Sequence, residues 1–255
     1  MQQPAALVNT WYTPPVMCGR YSLVRVDEAA LRRFDLFGLP ADWVAHYNVA
    51  PTVPALIVRM KKESTEREAV MARFGLIPPW SNPASAAKMI NARAETVAEK
   101  PAYREALLAR RCLIPADGFF EWRRSGAAKK GKQPYWFQMA DERPFAFAGL
   151  WERWYDPAGQ RVESFAILTT RPNALVAPFH DRMPVILSQE AHALWLDPEV
   201  RAPPLLEPLY EPIPAERMIV RAVSRRVNDA RNDDPSCLEL VKEDEEEPPK
   251  QGSLF

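Results

Sequence analysis

Twenty-six prolines in 255 residues, many in Ala-Pro, Pro-Pro and Ile-Pro contexts, restrict what this chain can fold into. Proline lacks the backbone N–H and its ring clashes with the preceding helical turn, so this distribution disfavours long helices and central strands and favours turns and edge strands. Three short helices fit between the prolines. Asp27 can cap one whose Leu31, Phe34 and Phe37 share a face and which Gly38-Leu39-Pro40 stops. A second covers Ala102 to Arg111, and a third begins after Ser188 and includes Leu194 and Trp195. Strand-like runs occupy Ala55 to Met60, Ala69 to Gly75, Arg111 to Pro115, Tyr135 to Met139, Phe145 to Gly149, Phe165 to Thr169, Val185 to Leu187 and Met218 to Val223. Strands and helices do not alternate regularly, which argues for α+β over a doubly wound or barrel α/β fold. No repeat and no Gly-rich phosphate loop is visible.

At 47% hydrophobic and 26% charged residues the composition is that of an ordinary globular protein, read here as one domain. Cys18, Cys112 and Cys237 are odd in number and lack Cys-x-x-Cys spacing, so neither a disulfide framework nor a zinc site is indicated and a reducing cytoplasm fits. Cys112, in an apolar run, reads as a buried small hydrophobe. No stretch of eighteen or so apolar residues offers a membrane span. The formal net charge of zero conceals an asymmetry: Val241 to Phe255 carries −3 and the rest of the chain +3. Arg123, Arg124, Lys129, Lys130 and Lys132, around Gly126 and Gly131, read as a basic hairpin loop, either simply solvated or used for phosphate contacts.

The run Met17-Cys18-Gly19-Arg20-Tyr21 has the look of a protein start. Once Met17 is trimmed, Cys18 presents an amine and a thiol on adjacent carbons, a 1,2-aminothiol that condenses with an aldehyde to a five-membered thiazolidine. Met1 to Val16 has neither the basic and apolar regions of a secretory signal nor the Arg-rich amphipathic character of a transit peptide. Residues 1–16 are therefore expected to be a disordered extension or a mis-assigned start. Any residue ahead of Cys18 ties up its amine.

Six segments combine aromatic, amide, carboxylate and imidazole groups in ways that core packing alone does not demand: Met17-Cys18-Gly19-Arg20-Tyr21, Tyr47-Asn48-Val49-Ala50-Pro51-Thr52, Phe74-Gly75-Leu76-Ile77-Pro78-Pro79-Trp80, Asn91-Ala92-Arg93-Ala94-Glu95-Thr96, Asp117-Gly118-Phe119-Phe120-Glu121-Trp122 and His180-Asp181-Arg182-Met183-Pro184. In this order, and ending with Val223-Ser224-Arg225-Arg226-Val227-Asn228, they resemble the SOS response-associated peptidase (SRAP) domain family, whose members protect abasic sites in single-stranded DNA by covalent attachment. The expected fold is a single α+β domain over residues 17–240, with a mixed, largely antiparallel, barrel-like β core flanked by short helices.

The resemblance implies a catalytic set of Cys18, Asn91, Glu121 and His180. Glu121 orients the α-amine and shuttles its proton; flanked by Phe120 and Trp122, its pKa should rise if it faces a cleft. His180 assists opening of the sugar ring and, in reverse, release of the DNA. Asn91 hydrogen-bonds the sugar and the Cys18 backbone. Arg93, two residues on in an extended segment, points to the same side as Asn91 and can clamp a phosphate, and Arg20 bears the same relation to Cys18. Trp80 and Pro51 correspond to apolar wedges that splay the bases, and Thr169 to a position near the sugar phosphate. His46 and His192 lack such a context and read as structural.

The chain finishes Gln251-Gly252-Ser253-Leu254-Phe255, which resembles the peptide by which bacterial proteins dock onto the replicative sliding clamp. Gln251, Leu254 and Phe255 would make that contact from an acidic, disordered tail over residues 241–255. The partners expected are abasic single-stranded DNA and the clamp. The protein is expected to be a monomer without metal or other cofactor, cytoplasmic and nucleoid-associated. Two other functions stay open at this point: a peptidase that removes its own leader through Cys18 and Glu121, and a non-covalent reader of modified or single-stranded DNA.

Overall fold

Asp27 and Asp35 set the ends of the first helix, α1 (Glu28–Phe34). Asp27 Oδ1 accepts the Ala30 N–H at 2.9 Å, and Asp35 adopts the left-handed conformation at φ 57°. Phe37 therefore lies beyond the helix, is 91% exposed, and does not share the buried face of Phe34 as its spacing suggests. α2 (Arg104–Ala109) is also shorter than its sequence pattern, whereas α3 (Ala191–Leu196) begins after Ser188 and includes Leu194 and Trp195 as expected. Arg111, where the expected helix and the strand-like run Arg111 to Pro115 overlap, belongs to the strand and donates to the carbonyls of Leu107 and Trp195, both at 2.5 Å.

The computed structural model describes residues 19–81, 89–123 and 132–242. In these, the strands up to the basic hairpin are β1 (Tyr21–Leu23), β2 (His46–Val49), β3 (Pro54–Met60), β4 (Arg67–Phe74), β5 (Asn91–Arg93), β6 (Arg111–Ala116) and β7 (Gly118–Trp122). After it come β8 (Pro134–Met139), β9 (Phe145–Tyr155), β10 (Arg161–Thr170), β11 (Met183–Pro184), β12 (Ile186–Leu187) and β13 (Met218–Ala222). The pairings β10-β4-β3-β6-β9 return to β10 and close a five-stranded barrel, antiparallel except where β4 meets β10. β5 runs parallel to β10 beyond the end of β4, while β11 and β12 extend β10 and β9. A second, antiparallel sheet has the order β13-β8-β7-β1-β2. The α+β, largely antiparallel, barrel-like core expected from the sequence is what the chain forms.

Alternation along the strands divides the core in two. Ile57, Ile114, Phe147, Phe165 and Ile167 pack in one cluster with Tyr21, Phe119 and Phe137 of the second sheet. Their chain neighbours Val58, Leu113, Ala146, Ala148, Ala166 and Leu168 pack with Phe34, Leu107 and Trp195 of the helices. The Tyr21 ring meets Phe74 and Phe147 edge-on, both at 5.8 Å, so β1 is fixed to the barrel by the residue three places after Cys18. Cys112 is fully buried, as its apolar run implies, and burial pushes its thiol pKa up.

His192 is 1% exposed and stacks on Phe34 at 5.9 Å, and neither ring nitrogen has a hydrogen-bond partner among the described residues. Burial, with the positive charges of Arg67 and Arg33 beside it, pushes its pKa down to about 4. In the unfolded chain the ring takes up its proton near pH 6.5, so stability is full above that value and falls as the pH drops toward 4, by about 3 kcal/mol from this residue. Urea titrations of His192→Leu between pH 4 and 7 are expected to show a correspondingly shallower acid decline; a slope equal to that of the parent protein would contradict this.

Candidate functional site

Arg20, Glu121 and His180 lie on elements in contact at one end of the second sheet, while Asn91, Arg93 and Thr169 lie on paired strands of the first. The chain enters β1 beside β7: Phe120 N donates to Arg20 O at 3.0 Å, and Tyr21 pairs with Phe119. Glu121, on β7, is 4% exposed and stands opposite Tyr135 of β8. The Tyr135 ring lies 4.7 Å from Phe179, the residue before His180, and the Arg123 guanidinium covers both rings at 5.2 and 5.5 Å. This aromatic contact joins the sheet that carries Glu121 to the turn that carries His180. Cys18 lies outside the described residues, one position before Gly19.

His180 is 6% exposed, and two groups meet its Nδ1: the Arg182 N–H at 3.0 Å and Asp181 Oδ1, also at 3.0 Å. The amide needs an unprotonated Nδ1, which puts the proton of a neutral ring on Nε2; the carboxylate suits a protonated Nδ1. The two contacts thus favour different tautomers of the ring.

β5 brings Asn91 and Arg93 to β10, pairing Asn91 with Ile167 and Arg93 with Thr169. Asn91 is half-buried and Arg93 exposed, and strand alternation puts both on one side. Tyr103 OH donates to Asn91 O at 3.0 Å. Thr169 is fully buried, its hydroxyl 3.4 Å from Ala92 O. Arg182 locks this corner, bidentate to Glu95 at 2.6 and 2.7 Å and donating to Thr169 O at 2.5 Å. That guanidinium holds the Glu95 carboxyl below its ordinary pKa.

Arg20 is more deeply engaged than a phosphate clamp needs to be. Its Nη1 donates to Asn48 Oδ1 at 3.1 Å and Val227 O at 2.6 Å, and the guanidinium lies 5.8 Å from the Trp122 ring. The amide of Asn48 in turn donates to the carbonyls of Val227, Asp229 and Asn232, and Trp122 Nε1 donates to Asn228 Oδ1 at 2.6 Å. The Val223 to Asn228 segment therefore braces the edge of the sheet on which the site is built. Pro51 and Trp80 sit on separate loops. Gly75, at φ 117°, turns the chain out of β4 into the loop that ends in Trp80, whose side chain is 68% exposed. An indole left this far in water stacks readily on a base.

Several supporting groups have a part that the sequence does not reveal. Asp117, 7% exposed, accepts from Ser22 Oγ at 2.5 Å and from Val24 N at 2.6 Å, fixing β1 to the turn before β7. Asp233 accepts from the backbone N–H groups of Tyr47 and Asn48 and pairs with His46, which gives that histidine the structural part expected of it. A carboxylate in a polar loop looks like a turn former, and only its distant partners reveal it. Of the basic hairpin, Arg123 and Lys132 are described and β7 and β8 pair as its arms; Arg124, Lys129 and Lys130 lie outside the described residues, as do Gln251, Leu254 and Phe255. Among the described residues no three His, Cys, Asp or Glu side chains gather as a metal-holding group, and no helix is long and apolar enough to cross a membrane.

The family model for SOS response associated peptidase (SRAP) matches residues 17–230. The chain belongs to the SRAP family. Among its relatives, the abasic site processing protein YoqW of Bacillus subtilis is 39% identical over 226 residues, which cover 88% of this SRAP chain and 99% of that protein. The abasic site processing protein HMCES of Xenopus tropicalis is 33% identical over 201 residues, 70% of this chain and 59% of that one. A crystal structure of a protein from Bacteroides thetaiotaomicron superimposes with a TM-score of 0.74 at 29% identity, covering 88% of this SRAP chain and all of the other.

Proposed function

We propose that this SRAP protein protects abasic sites in single-stranded DNA by forming a covalent thiazolidine through Cys18, once the residues ahead of it are gone. The observation that carries the reading is the placing of Glu121 and His180, both buried and joined through Tyr135 and Phe179, at the sheet end where the chain enters β1. The naming of its relatives as abasic site processing proteins supports it.

An opened abasic sugar offers an aldehyde at C1′. The α-amine, with an ordinary pKa of roughly 7.7–8.0, attacks it and releases water to give an imine. The thiol, ordinarily near 8.5, adds its sulfur to the imine carbon as its proton passes to nitrogen, and the ring closes. Glu121 accepts and returns the amine proton; His180 serves the opening of the hemiacetal; Asn91 orients sugar and amine. Arg93 and Arg20 meet phosphates, Trp80 and Pro51 hold the neighbouring bases apart, and Thr169 shapes the sugar-phosphate pocket. A closed ring cannot eliminate the strand. Protein begun at Met17 and mixed with single-stranded DNA carrying one abasic site is expected to give a band that survives heating on a denaturing gel, and the reading fails if none forms.

The Gln251 to Phe255 ending extends this reading to delivery of the protein, as a monomer in the cytoplasm and nucleoid, to forks through the sliding clamp. Removing those five residues is expected to abolish capture by immobilised clamp while leaving adduct formation unchanged. Equal capture of both forms would refute it.

A further inference from the structure

At the opposite end of the second sheet from Glu121, a cavity of about 540 Å³ opens between α1, the β8–β9 turn and the residue before Glu190. Four arginines line it: Arg25, Arg32, Arg33 and Arg143. Its two acidic lining residues are already engaged, Asp27 in capping α1 and Glu142 with Arg221 at 2.8 Å. Arg32 pairs with Glu28 in a fully exposed contact of little strength, and Arg143 Nε stands 4.0 Å from Asp141. Neither Arg25 nor Arg33 forms a salt bridge among the described residues, and Arg33 Nε is buried there with no hydrogen-bond partner. Glu190, beside Arg33 and Arg217, is exposed. The backbone around the cavity is fixed, since Arg25 N donates to Asp117 at 3.3 Å and Arg143 N to Asp141 at 3.1 Å.

We infer that this cavity is a second anion site, which takes backbone phosphates of the same DNA strand at some distance from the abasic sugar. The inference rests on the proposed DNA-binding function. Guanidinium groups that line an open polar cavity, two of them without a salt bridge among the described residues and two held only by exposed, weak pairs, match phosphate oxygens in charge and in hydrogen-bonding geometry. Only five chain positions separate Arg20 from Arg25, so the two ends of the sheet lie no more than roughly 18 Å apart. Even at the compact 3.4 Å step of a strand stacked as in a duplex, about five nucleotides span that gap, and a more extended single strand needs fewer.

The test compares the parent protein, begun at Met17, with the double variant Arg25→Ala/Arg143→Ala, whose two side chains are exposed and whose melting temperature serves as the check on folding. Each is titrated by fluorescence anisotropy with abasic oligonucleotides of about five and about twenty nucleotides over a range of salt, the shorter carrying only about two nucleotides to either side of a central abasic site. The variant is expected to bind the longer strand about ten-fold more weakly near 0.1 M salt, with the log-log salt slope reduced by about 0.7 for each phosphate the variant no longer neutralises. Its adduct yield with the shorter strand should be unchanged. Equal affinities and equal slopes for the longer strand would overturn the inference and leave a solvated arginine face. Inorganic pyrophosphate is the second probe: if it raises the melting temperature of the parent alone while both proteins bind the longer strand equally, the cavity takes a free polyphosphate and the assignment to DNA is wrong. Failure of the parent to crosslink even the five-nucleotide strand would count against the thiazolidine reading, separately from the long-strand comparison.

Discussion

Cys18→Ala, in protein begun at Met17, is expected to eliminate the heat-stable adduct with abasic DNA, and the way it does so separates the two bonds of the proposed ring. The variant keeps an N-terminal amine, so it can still condense with the aldehyde and release water. It has no sulfur to add to the resulting imine, and an open imine hydrolyses when the complex is denatured and heated. Borohydride, which reduces the imine carbon to an amine, should therefore restore a band for Cys18→Ala. The chain begun at Met1 should give no band with or without borohydride, because the nitrogen of Cys18 is then an amide with no nucleophilic lone pair. The three proteins thus have three distinct signatures. Because loss of a covalent nucleophile typically lowers rates by several orders of magnitude, the missing band is not a matter of exposure time. A heat-stable adduct from Cys18→Ala would rule out the thiazolidine, and one from the Met1 chain would show either that the amine is dispensable or that the leader is removed, which the mass of the protein distinguishes. Cleavage after Met17 that disappears in Glu121→Gln would favour the self-processing peptidase.

The strands that the sequence announces are those with an apolar, β-branched or aromatic run: β3, β4, β6, β8, the paired cores of β9 and β10, the short β12 and β13. β1, β2 and β5 have three or four residues each, too few to display a period, and they exist because distant partners hold them. Asn91 to Arg93 is a strand only through its register with β10, some 75 positions along the chain. The closure of the barrel is equally invisible beforehand, since it depends on a parallel pairing of Arg73 with Ser164 that no turn signal connects. At the site the order of the motifs was sufficient to nominate Asn91, Glu121 and His180, and the structure puts them on β5, on β7 and in the turn before β11. What the supporting groups do was not legible in that order. Asn48 and Asp233 act through carbonyls and N–H groups of segments about 180 residues away, and Arg20, nominated for DNA, spends much of its hydrogen-bonding capacity on the same brace. Sequence order carries the chemistry of such a site, while the contacts that fix its geometry are long-range.

The second large effect is expected from a single methyl group well away from the reacting atoms. Gly118 follows Asp117 at the start of β7, and a Cβ there would lie 2.0 Å from Trp136 Nε1 and 2.6 Å from Cε2 of the same indole. Neither distance is compatible with van der Waals contact, so Gly118→Ala must push the ring away. The displaced Nε1 loses its hydrogen bond to Ser22 Oγ, 3.0 Å in the native fold, and that hydroxyl is the one that donates to the buried carboxylate of Asp117. Overpacking costs roughly 1–3 kcal/mol and a buried hydrogen bond contributes roughly 0.5–1.5 kcal/mol, so a loss of about 3 kcal/mol in urea denaturation is expected. Ser22 belongs to the strand that leads directly from Cys18, so adduct formation should slow as well, even at temperatures where the variant remains folded. A cycle with Trp136→Ala isolates the cause. Removing the indole costs stability by itself, but in that background Gly118→Ala should cost less than about 1 kcal/mol, a strong departure from additivity. If the glycine substitution is as damaging without the indole as with it, the steric account is wrong and Gly118 acts through its own backbone. The outcome bears on the chemistry because Trp136, Ser22 and Asp117 together fix β1, and β1 leads back to the cysteine at the entrance of the site.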